Sequence, residues 1–392
     1  MKPKISILCV LSKFNYREKN KGTSAEYNII YLPLKKKFKK SIKFINSADN
    51  KYKEIKQLNE YLINCVKKNK PKYIFLSINT YEIYLETLIE IKKICNCKII
   101  NWFTDDSWRY EERSIFYLQY IDFAITNHFI SHIKNKKKGV NSIFTGWGCP
   151  DHWISKNNLR SNYKYEVTFI GNNYFDREKY INFLKDKGIK IKCFGNGWQN
   201  SSSVTEKKLL DIIKNSKISL NFSRSRGKEK QTKARVFEIT GVGGFCLTEN
   251  SKDLRSFFKS DEVVSFSNEL ELYNKIRFFL KNENLRNKIA KKSNYKTRNK
   301  FKNSIVINRI LKIISKTKGK KFFNTINYER KKNSIFIFKI LKSIAIIILK
   351  LFLNQKKSIK VIRRIFFEIE WRLRGSLTYT KNGICSNIFN FD

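Results

Sequence analysis

Residues 233–249 read KARVFEITGVGGFCLTE. Two cations, Lys233 and Arg235, open a helical stretch, Ala234–Thr240, and glycines close it. Glycine suits a helix end because it tolerates the left-handed backbone found there. Gly244–Thr248 (GFCLT) is then a short apolar run of the kind a parallel sheet buries on both faces. Helix, glycine stop and buried strand make one αβ unit. Working outward, the unit repeats. Glu166–Ile170 (EVTFI), Lys190–Phe194 (KIKCF), Lys217–Phe222 (KISLNF) and Glu262–Phe266 (EVVSF) read as further strands. Between them fit helices at Arg177–Lys187, Glu206–Asn215, Asp253–Lys259, Asn268–Lys281 and Asn284–Thr297.

Upstream the same rhythm appears. Ile5–Leu11 (ISILCVL), Tyr73–Ile78 (YIFLSI), Lys98–Phe103 (KIINWF), Ile121–Thr126 (IDFAIT) and Ser142–Thr145 read as strands. Apolar residues recur at helical spacing through Tyr52, Ile55, Leu58, Tyr61, Leu62 and Cys65, and Tyr81–Cys95 is a second helix with Thr80 as its N-cap. Strands alternating with helices imply parallel sheets covered on both faces. The polar stretch Lys156–Lys164 separates the two halves as a linker. The expected organisation is a first α/β domain over 1–155, a second over 165–318, and a basic amphipathic tail over 320–392, with a cleft between the domains where strand carboxyl ends meet.

The chain has 392 residues, 41% hydrophobic and 14% aromatic, with a net charge of +48. Four prolines and fifteen glycines exclude a collagen-like or Pro-rich linker protein. Lysine is spread along the whole chain among Asn and Ile, which reads as drift toward A/T-rich codons more than as one basic patch; the remainder concentrates near the C-terminus. Cys9, Cys65, Cys95, Cys97, Cys149, Cys193, Cys246 and Cys385 form no C-x-x-C pair, and Cys95-Asn96-Cys97 is one residue too tight for a zinc knuckle. Several sit in apolar runs, as small hydrophobes do. A reducing, cytoplasmic compartment is therefore expected, and the opening strand is too short for a signal peptide. His128 and His132 are four apart, but no Glu or Cys completes a metal set, so no metal is expected.

Candidate site residues gather at strand ends. Gly171 and Asn172 follow one strand, with Arg177 in the next helix; glycine lets a ligand approach the backbone, and a helix start offers N–H groups to phosphate. A simple turn is the alternative. Gly195, Gly197 and Trp198 follow the next strand, and the indole suits either stacking on a flat ring or core packing. Asn221, Ser223 and Arg224 end the third, suited to hydrogen bonding and phosphate, or to an ordinary polar loop. Glu238, three residues beyond Arg235, lies on nearly the same helix face; it suits ribose hydroxyls, while Lys233 and Arg235 suit a diphosphate, and a surface Arg–Glu pair is the alternative. In the first half, Asp105 and Asp106 end a strand, and one of them suits a general base on an acceptor hydroxyl; a metal-binding pair or a helix N-cap are the rival roles. Gly22-Thr23-Ser24 is a weak candidate for an acceptor or phosphate loop.

The segment 233–249 resembles the signature of the CgeB-like (spore maturation protein) glycosyltransferases, a GT-B group related to glycosyltransferase family 4: basic–x–Arg–x–Phe–Glu, a Gly243-Gly244 turn, and a strand ending in Thr248-Glu249. Trp102-Phe103-Thr104-Asp105-Asp106, Phe169-Ile170-Gly171, Phe194-Gly195-x-Gly197-Trp198, Leu220-Asn221 and Leu285-Arg286-x-x-Ile289-Ala290 fit in the same order, so the resemblance spans about residues 70–300. It implies two Rossmann-like domains facing a cleft, with a nucleotide-sugar donor held mainly by the second. By position Glu238 matches the second Glu of the family 4 E-x7-E pattern, which contacts the donor ribose. The first Glu falls at Lys230, a departure at a position that in family 4 helps hold the donor sugar.

The function so implied is a metal-independent, hexosyltransferase-type enzyme moving a sugar from a nucleotide-sugar donor to an acceptor hydroxyl in cell-envelope polysaccharide or glycolipid synthesis. The nucleotide sugar is a substrate, and no cofactor is expected. A GT-B scaffold that binds without catalysing is one alternative, a basic nucleic-acid-binding protein another. Ser334–Leu353 (SIFIFKILKSIAIIILKLFL) is long enough to cross a bilayer, but Lys339, Lys342 and Lys350 share one stripe with Ser343, which favours a helix lying in the interface of an anionic membrane. Burial against the protein's own body and a true span are the other readings. The tail places the protein peripherally on the inner face of the cell membrane, with a glycan or lipid-linked acceptor.

Overall fold

A computed structural model of the chain describes residues 4–155, 162–174, 176–199, 201, 204–227, 229–321, 323, 326, 340–347 and 354–389. Most of the linker, and Lys339 and Lys350 of the tail stripe, lie outside the described residues.

The first domain runs β1 (Ile7–Leu11), α1 (Leu32–Phe38), β2 (Ile42–Asn46), α2 (Ile55–Asn69), β3 (Tyr73–Leu76), α3 (Leu85–Ile94), β4 (Lys98–Phe103), α4 (Asp106–Arg109), α5 (Ile115–Tyr117), β5 (Phe123–Thr126), α6 (Phe129–Lys137) and β6 (Asn141–Phe144). Its sheet is parallel throughout, in the order β2-β1-β3-β4-β5-β6. The second domain runs β7 (Tyr165–Ile170), α7 (Arg177–Asp186), β8 (Ile191–Phe194), α8 (Glu206–Lys214), β9 (Ser216–Asn221), α9 (Ala234–Val242), β10 (Cys246–Glu249), α10 (Leu254–Phe257), β11 (Val264–Phe266), α11 (Glu269–Lys281), α12 (Glu283–Lys300) and α13 (Asn303–Lys316). Its parallel sheet has the order β11-β10-β9-β7-β8.

In both sheets the order reverses beside the first strand, and crevices at such reversal points are where doubly wound folds hold ligands. In the second sheet the point lies between β7 and β9. That puts Gly171 and Asn172 beside Asn221, Ser223 and Arg224.

All five residues of β1 are buried, and its side chains divide by the two-residue period of a strand. Leu8 and Val10 enter one core, shared with α2 and α3. Ile7, Cys9 and Leu11 enter another, which continues through α13 into α8 and α9 of the second domain. The domains therefore share an apolar layer. Phe237 packs on Phe301 at 5.0 Å between ring centroids, and Phe257 on Phe144 at 5.0 Å. Residues 145–155 make the forward crossing, and Phe301–Asn303 pair with it: Cys149 N–H donates to Phe301 O at 2.8 Å, and Asn303 N–H to Cys149 O at 2.9 Å. Helix α13 then lies back on the first domain, where Lys98 Nζ caps its last carbonyls at Ile314 and Thr317 (2.7 and 2.8 Å).

Three sequence expectations differ from the structure. Strand β2 was not expected, because this edge strand is half-buried and interrupts its apolar residues with Lys43 and Asn46. Helix α3 starts at Leu85, with Tyr84 as its N-cap; Thr80 instead donates its hydroxyl and backbone N–H to Glu82, whose carboxylate organises the turn. Lys342, expected at the headgroup side of the tail, bonds Ile388 O at 2.8 Å and lies over the Phe389 ring.

Beyond the second domain, residues 340–347 are helical, and a tail helix, Gln355–Arg374, follows. Ile362, Phe366 and Phe367 of the tail helix join the α2–α3 side of the first core, with Tyr379, Ile384, Cys385 and Phe389 beyond it. Among the described residues no helix is long and apolar enough to cross a membrane.

Candidate functional site

The carboxyl ends of the two sheets meet. From the first domain come Asp105 after β4 and His128 after β5; from the second come Gln231 and Lys233 before α9 and Asp253 after β10. Lys233 Nζ pairs with Asp105 Oδ1 at 3.3 Å. Ser107 N–H donates to Gln231 Oε1 at 3.4 Å, and Phe129 N–H to Asp253 Oδ1 at 2.7 Å. Gln231 Nε2 and Asp253 Oδ2 are buried with no hydrogen-bond partner among the described residues. Unpartnered polar atoms at such a depth are costly and common where a ligand completes them.

The two acids after β4 have opposite environments. Asp105 is a left-handed residue, φ 59°, at the N-cap of α4. Burial raises its carboxyl, but Lys233, Arg109 and Arg113 outweigh that and hold it below the ordinary aspartate range. Asp106 turns into the first domain. Its two oxygens accept from Ser114 Oγ (2.6 Å) and Thr126 Oγ1 (2.7 Å), and burial pushes its carboxyl up to about 6. Asp106 is therefore a packing residue of the β4–α4 corner, and Asp105 is the acid that reaches the cleft. Glu26, beyond the Gly22-Thr23-Ser24 loop, lies within electrostatic reach of Asp105, and burial raises its carboxyl.

In sequence His128 stands out only by its four-residue spacing from His132. The two rings diverge: His128 Nδ1 meets Ser131 Oγ and His132 Nδ1 meets Ser142 Oγ, each at 2.9 Å. Burial and then Lys233 lower His128 to about 4, so the imidazole is neutral at pH 7. Its place at the end of a buried strand was the available signal. Gln231 and Asp253 carry no signal beyond lying at a helix start and a strand end.

On the second domain, the strand-end glycines brace one another. Trp198 donates its indole N–H to Gly171 O at 2.7 Å and sits edge-on to Phe169, so its ring is a clamp rather than an open stacking surface. Asn196 N–H donates to Asn172 Oδ1, and Asn173 Nδ2 to Gly197 O. Gly195 has φ 132°, and a Cβ there would lie 2.5 Å from Gly171 O. Gly195→Ala is expected to destabilise the protein by about 2–4 kcal/mol, read as a lower urea midpoint.

Asn221 and Ser223 are buried. Asn221 Nδ2 holds Thr248 Oγ1, while the Ser223 and Arg224 backbone N–H groups bond Glu249 Oε2 at 2.9 and 3.1 Å. Lys230 ion-pairs with the other oxygen of Glu249 at 2.7 Å. Glu249 thus ties Ser223, Arg224 and Lys230 onto β10. Arg224 also pairs with Asp176 at 3.0 Å.

Glu238 is half-buried on α9, paired with Arg235 at 2.6 Å, on the side that faces the Cys149 crossing. Gly243, φ 92°, is the left-handed C-cap of α9, and a Cβ on Gly244 would meet Ile213 at 2.8 Å. These two glycines, expected among the donor-binding residues, shape the turn from α9 into β10.

Residues 177–312 match a family described as glycosyl transferase-like. No curated protein matches the chain in sequence. Among solved structures, Anabaena Alr3699/HepE in complex with UDP and glucose superposes with a TM-score of 0.56 at 10% identity, over 80% of this chain and 100% of that one. A glycosyltransferase from Rickettsia africae ESF-5 superposes with a TM-score of 0.53 at 12% identity, over 80% and 100%. The two parallel sheets with their surrounding helices are the GT-B fold, and the match to the glycosyl transferase-like family lies within the second domain.

Proposed function

We propose that the chain is a GT-B glycosyltransferase, CgeB-like and related to family 4, that moves a hexose from a nucleotide sugar to an acceptor hydroxyl without a metal. The observation that carries this reading is the meeting of Lys233 with Asp105 across the domains, at the strand ends where α/β folds hold ligands. Lys233, Arg235 and the first N–H groups of α9 take the donor diphosphate. Glu238, released from Arg235, accepts from the ribose hydroxyls. Asp105 takes the proton of the acceptor hydroxyl as its oxygen bonds the sugar carbon and the bond to the diphosphate breaks. His128, neutral, and Asp253 line the sugar's side of the cleft. The Anabaena relative's complexes with UDP and with UDP-glucose support a uridine diphosphate sugar as donor. The acceptor belongs to envelope polysaccharide or glycolipid synthesis, and the enzyme works peripherally on the cytoplasmic face of the membrane.

The test is donor binding by the intact protein. Calorimetry with UDP-glucose is expected to show binding that Glu238→Ala weakens about 10- to 100-fold, the worth of a charged hydrogen bond. Absence of binding to any nucleotide sugar would refute the reading. A scaffold that binds without catalysing is the second reading, favoured by Lys230 standing where the family pattern has an acid; binding without product from any acceptor selects it.

A further inference from the structure

The tail helix buries one side on the first domain and leaves a ridge outside. Val361, Ile365, Ile369 and Leu373 recur every fourth residue and are exposed, Leu373 by 75%. Residues 340–347 show the same trait, with Ile340, Leu341, Ile344 and Ile347 exposed. Isolated exposed apolar residues are ordinary, but two helices with apolar outer ridges mark a contact surface. Lys360 and Arg372 are exposed on the same helix, within a chain of net charge +48.

The ridge is tied to the cleft by one side chain. Arg364 pairs with Glu112 Oε2 at 2.5 Å and lies 5.4 Å from the Trp108 ring centroid. Arg109 of α4 lies 4.3 Å from that ring, and Arg226, from the loop leading to α9, lies 5.3 Å from it. Three guanidinium groups, from the first domain, the second domain and the tail, thus gather around one indole, three residues from Asp105. Trp108 Nε1 and Ser107 Oγ are buried there without partners among the described residues. No ion pair engages Arg226 among the described residues. Arginine forks and an indole N–H suit phosphate oxygens.

We propose that the tail helix lies on an anionic bilayer with Val361, Ile365, Ile369 and Leu373 in the interface, and that the arginines at Trp108 receive the phosphate of a lipid-linked acceptor. The docking stands independently of the glycosyltransferase reading; the acceptor rests on it. An acceptor held in the bilayer then presents its hydroxyl to Asp105 from the tail side. Charge complementarity selects the lipid surface as occupant: Lys360 and Arg372, the latter also pairing with Glu368 at 3.4 Å, border the ridge on a strongly cationic chain and attract phospholipid headgroups.

The test is vesicle flotation of the full chain, wild type against Ile365→Glu/Ile369→Glu, with neutral phosphatidylcholine and with vesicles doped with phosphatidylglycerol. Wild type is expected to float with the anionic vesicles, and the double variant to bind about tenfold more weakly, while its circular-dichroism melt and its UDP-glucose binding match wild type. Equal flotation of both proteins, or none by wild type, overturns the docking. So does a wild-type dimer in size-exclusion chromatography that the double variant splits, which assigns the ridge to a second copy. For the acceptor, farnesyl phosphate is expected to bind about tenfold more weakly to Arg226→Gln than to wild type. Unchanged binding in Arg226→Gln, or inorganic phosphate binding as tightly as farnesyl phosphate, overturns the lipid-phosphate site. Loss of donor binding with flotation intact strikes the glycosyltransferase reading and leaves the docking standing.

Discussion

Replacing Lys233 with alanine is expected to cut sugar transfer by about 10²–10³-fold, the usual cost of removing one preorganised group that stabilises developing negative charge. In the structure Lys233 neutralises Asp105 at 3.3 Å. On the proposed reading, a donor diphosphate would offer it a stronger partner, so the ammonium would exchange partners as the donor enters and free Asp105 for the acceptor hydroxyl. The charge on the leaving diphosphate grows along the reaction, so the loss should fall on kcat more than on KM. Lys233→Arg keeps the charge but not the reach, and should recover only part of the rate. Stability should barely change, because a partly exposed ion pair is worth about 1 kcal/mol or less. Steady-state kinetics with UDP-glucose, alongside a thermal melt, checks both halves. A variant that transfers sugar at the wild-type rate would remove Lys233 from the mechanism.

How much of this was legible in sequence depends on the kind of signal. Strands buried on both faces announce themselves as apolar runs, so β4 (Lys98–Phe103) was readable to the residue. Helix α9 starts at Ala234 as its pattern indicates, but it runs through Gly241 to Val242, two residues beyond the expected Thr240, before the left-handed C-cap at Gly243. The half-buried edge strand β2 has no such run and was invisible. In the site, types of residue were legible but orientation was not. Asp105 and Asp106 are adjacent and chemically identical, yet the left-handed backbone at Asp105 sends one carboxylate to the cleft and the other to Ser114 and Thr126. No pattern in the sequence encodes that divergence. Gln231 and Asp253 matter only because the domains bring Ser107 and Phe129 to them, a juxtaposition across more than a hundred residues that periodicity cannot report. The tail's apolar positions were visible, but only packing decides that Ile362, Phe366 and Phe367 turn inward while Ile365 and Ile369 stay outside.

The contrast between the two acids gives the sharpest separation of chemistry from folding. Asp105→Asn should lower kcat by about 10²–10⁴-fold, the range of general-base catalysis, with donor binding and stability kept. Asp106→Asn should act on stability and its pH dependence. Burial pushes the folded Asp106 carboxyl up to about 6, whereas the unfolded chain's aspartate titrates near about 3.9. Between those two values the folded protein holds a proton that the unfolded chain has released. The Asp106 contribution to wild-type stability therefore declines as pH rises from about 4 to about 6, by about 2–3 kcal/mol, while His128, lowered to about 4, contributes a slope of the opposite sign in the same window. Asparagine resembles the protonated acid, still accepting from one hydroxyl, and Arg113, which loses its buried ion pair with Asp106 at 3.7 Å, keeps its carbonyl partners at Ile78, Asn79 and Thr104. Asp106→Asn should thus match wild type near the acid end and gain on it toward pH 7, flattening that part of the slope. Asp253, whose carboxyl burial also pushes up to about 6, and Glu26 and Glu370, whose carboxyls burial raises, contribute slopes of the same sign in both proteins. Urea denaturation at a series of pH values reads the difference. An Asp106→Asn protein with unchanged slope and lost transfer would reverse the assignment and make Asp106 the acid that meets the substrate.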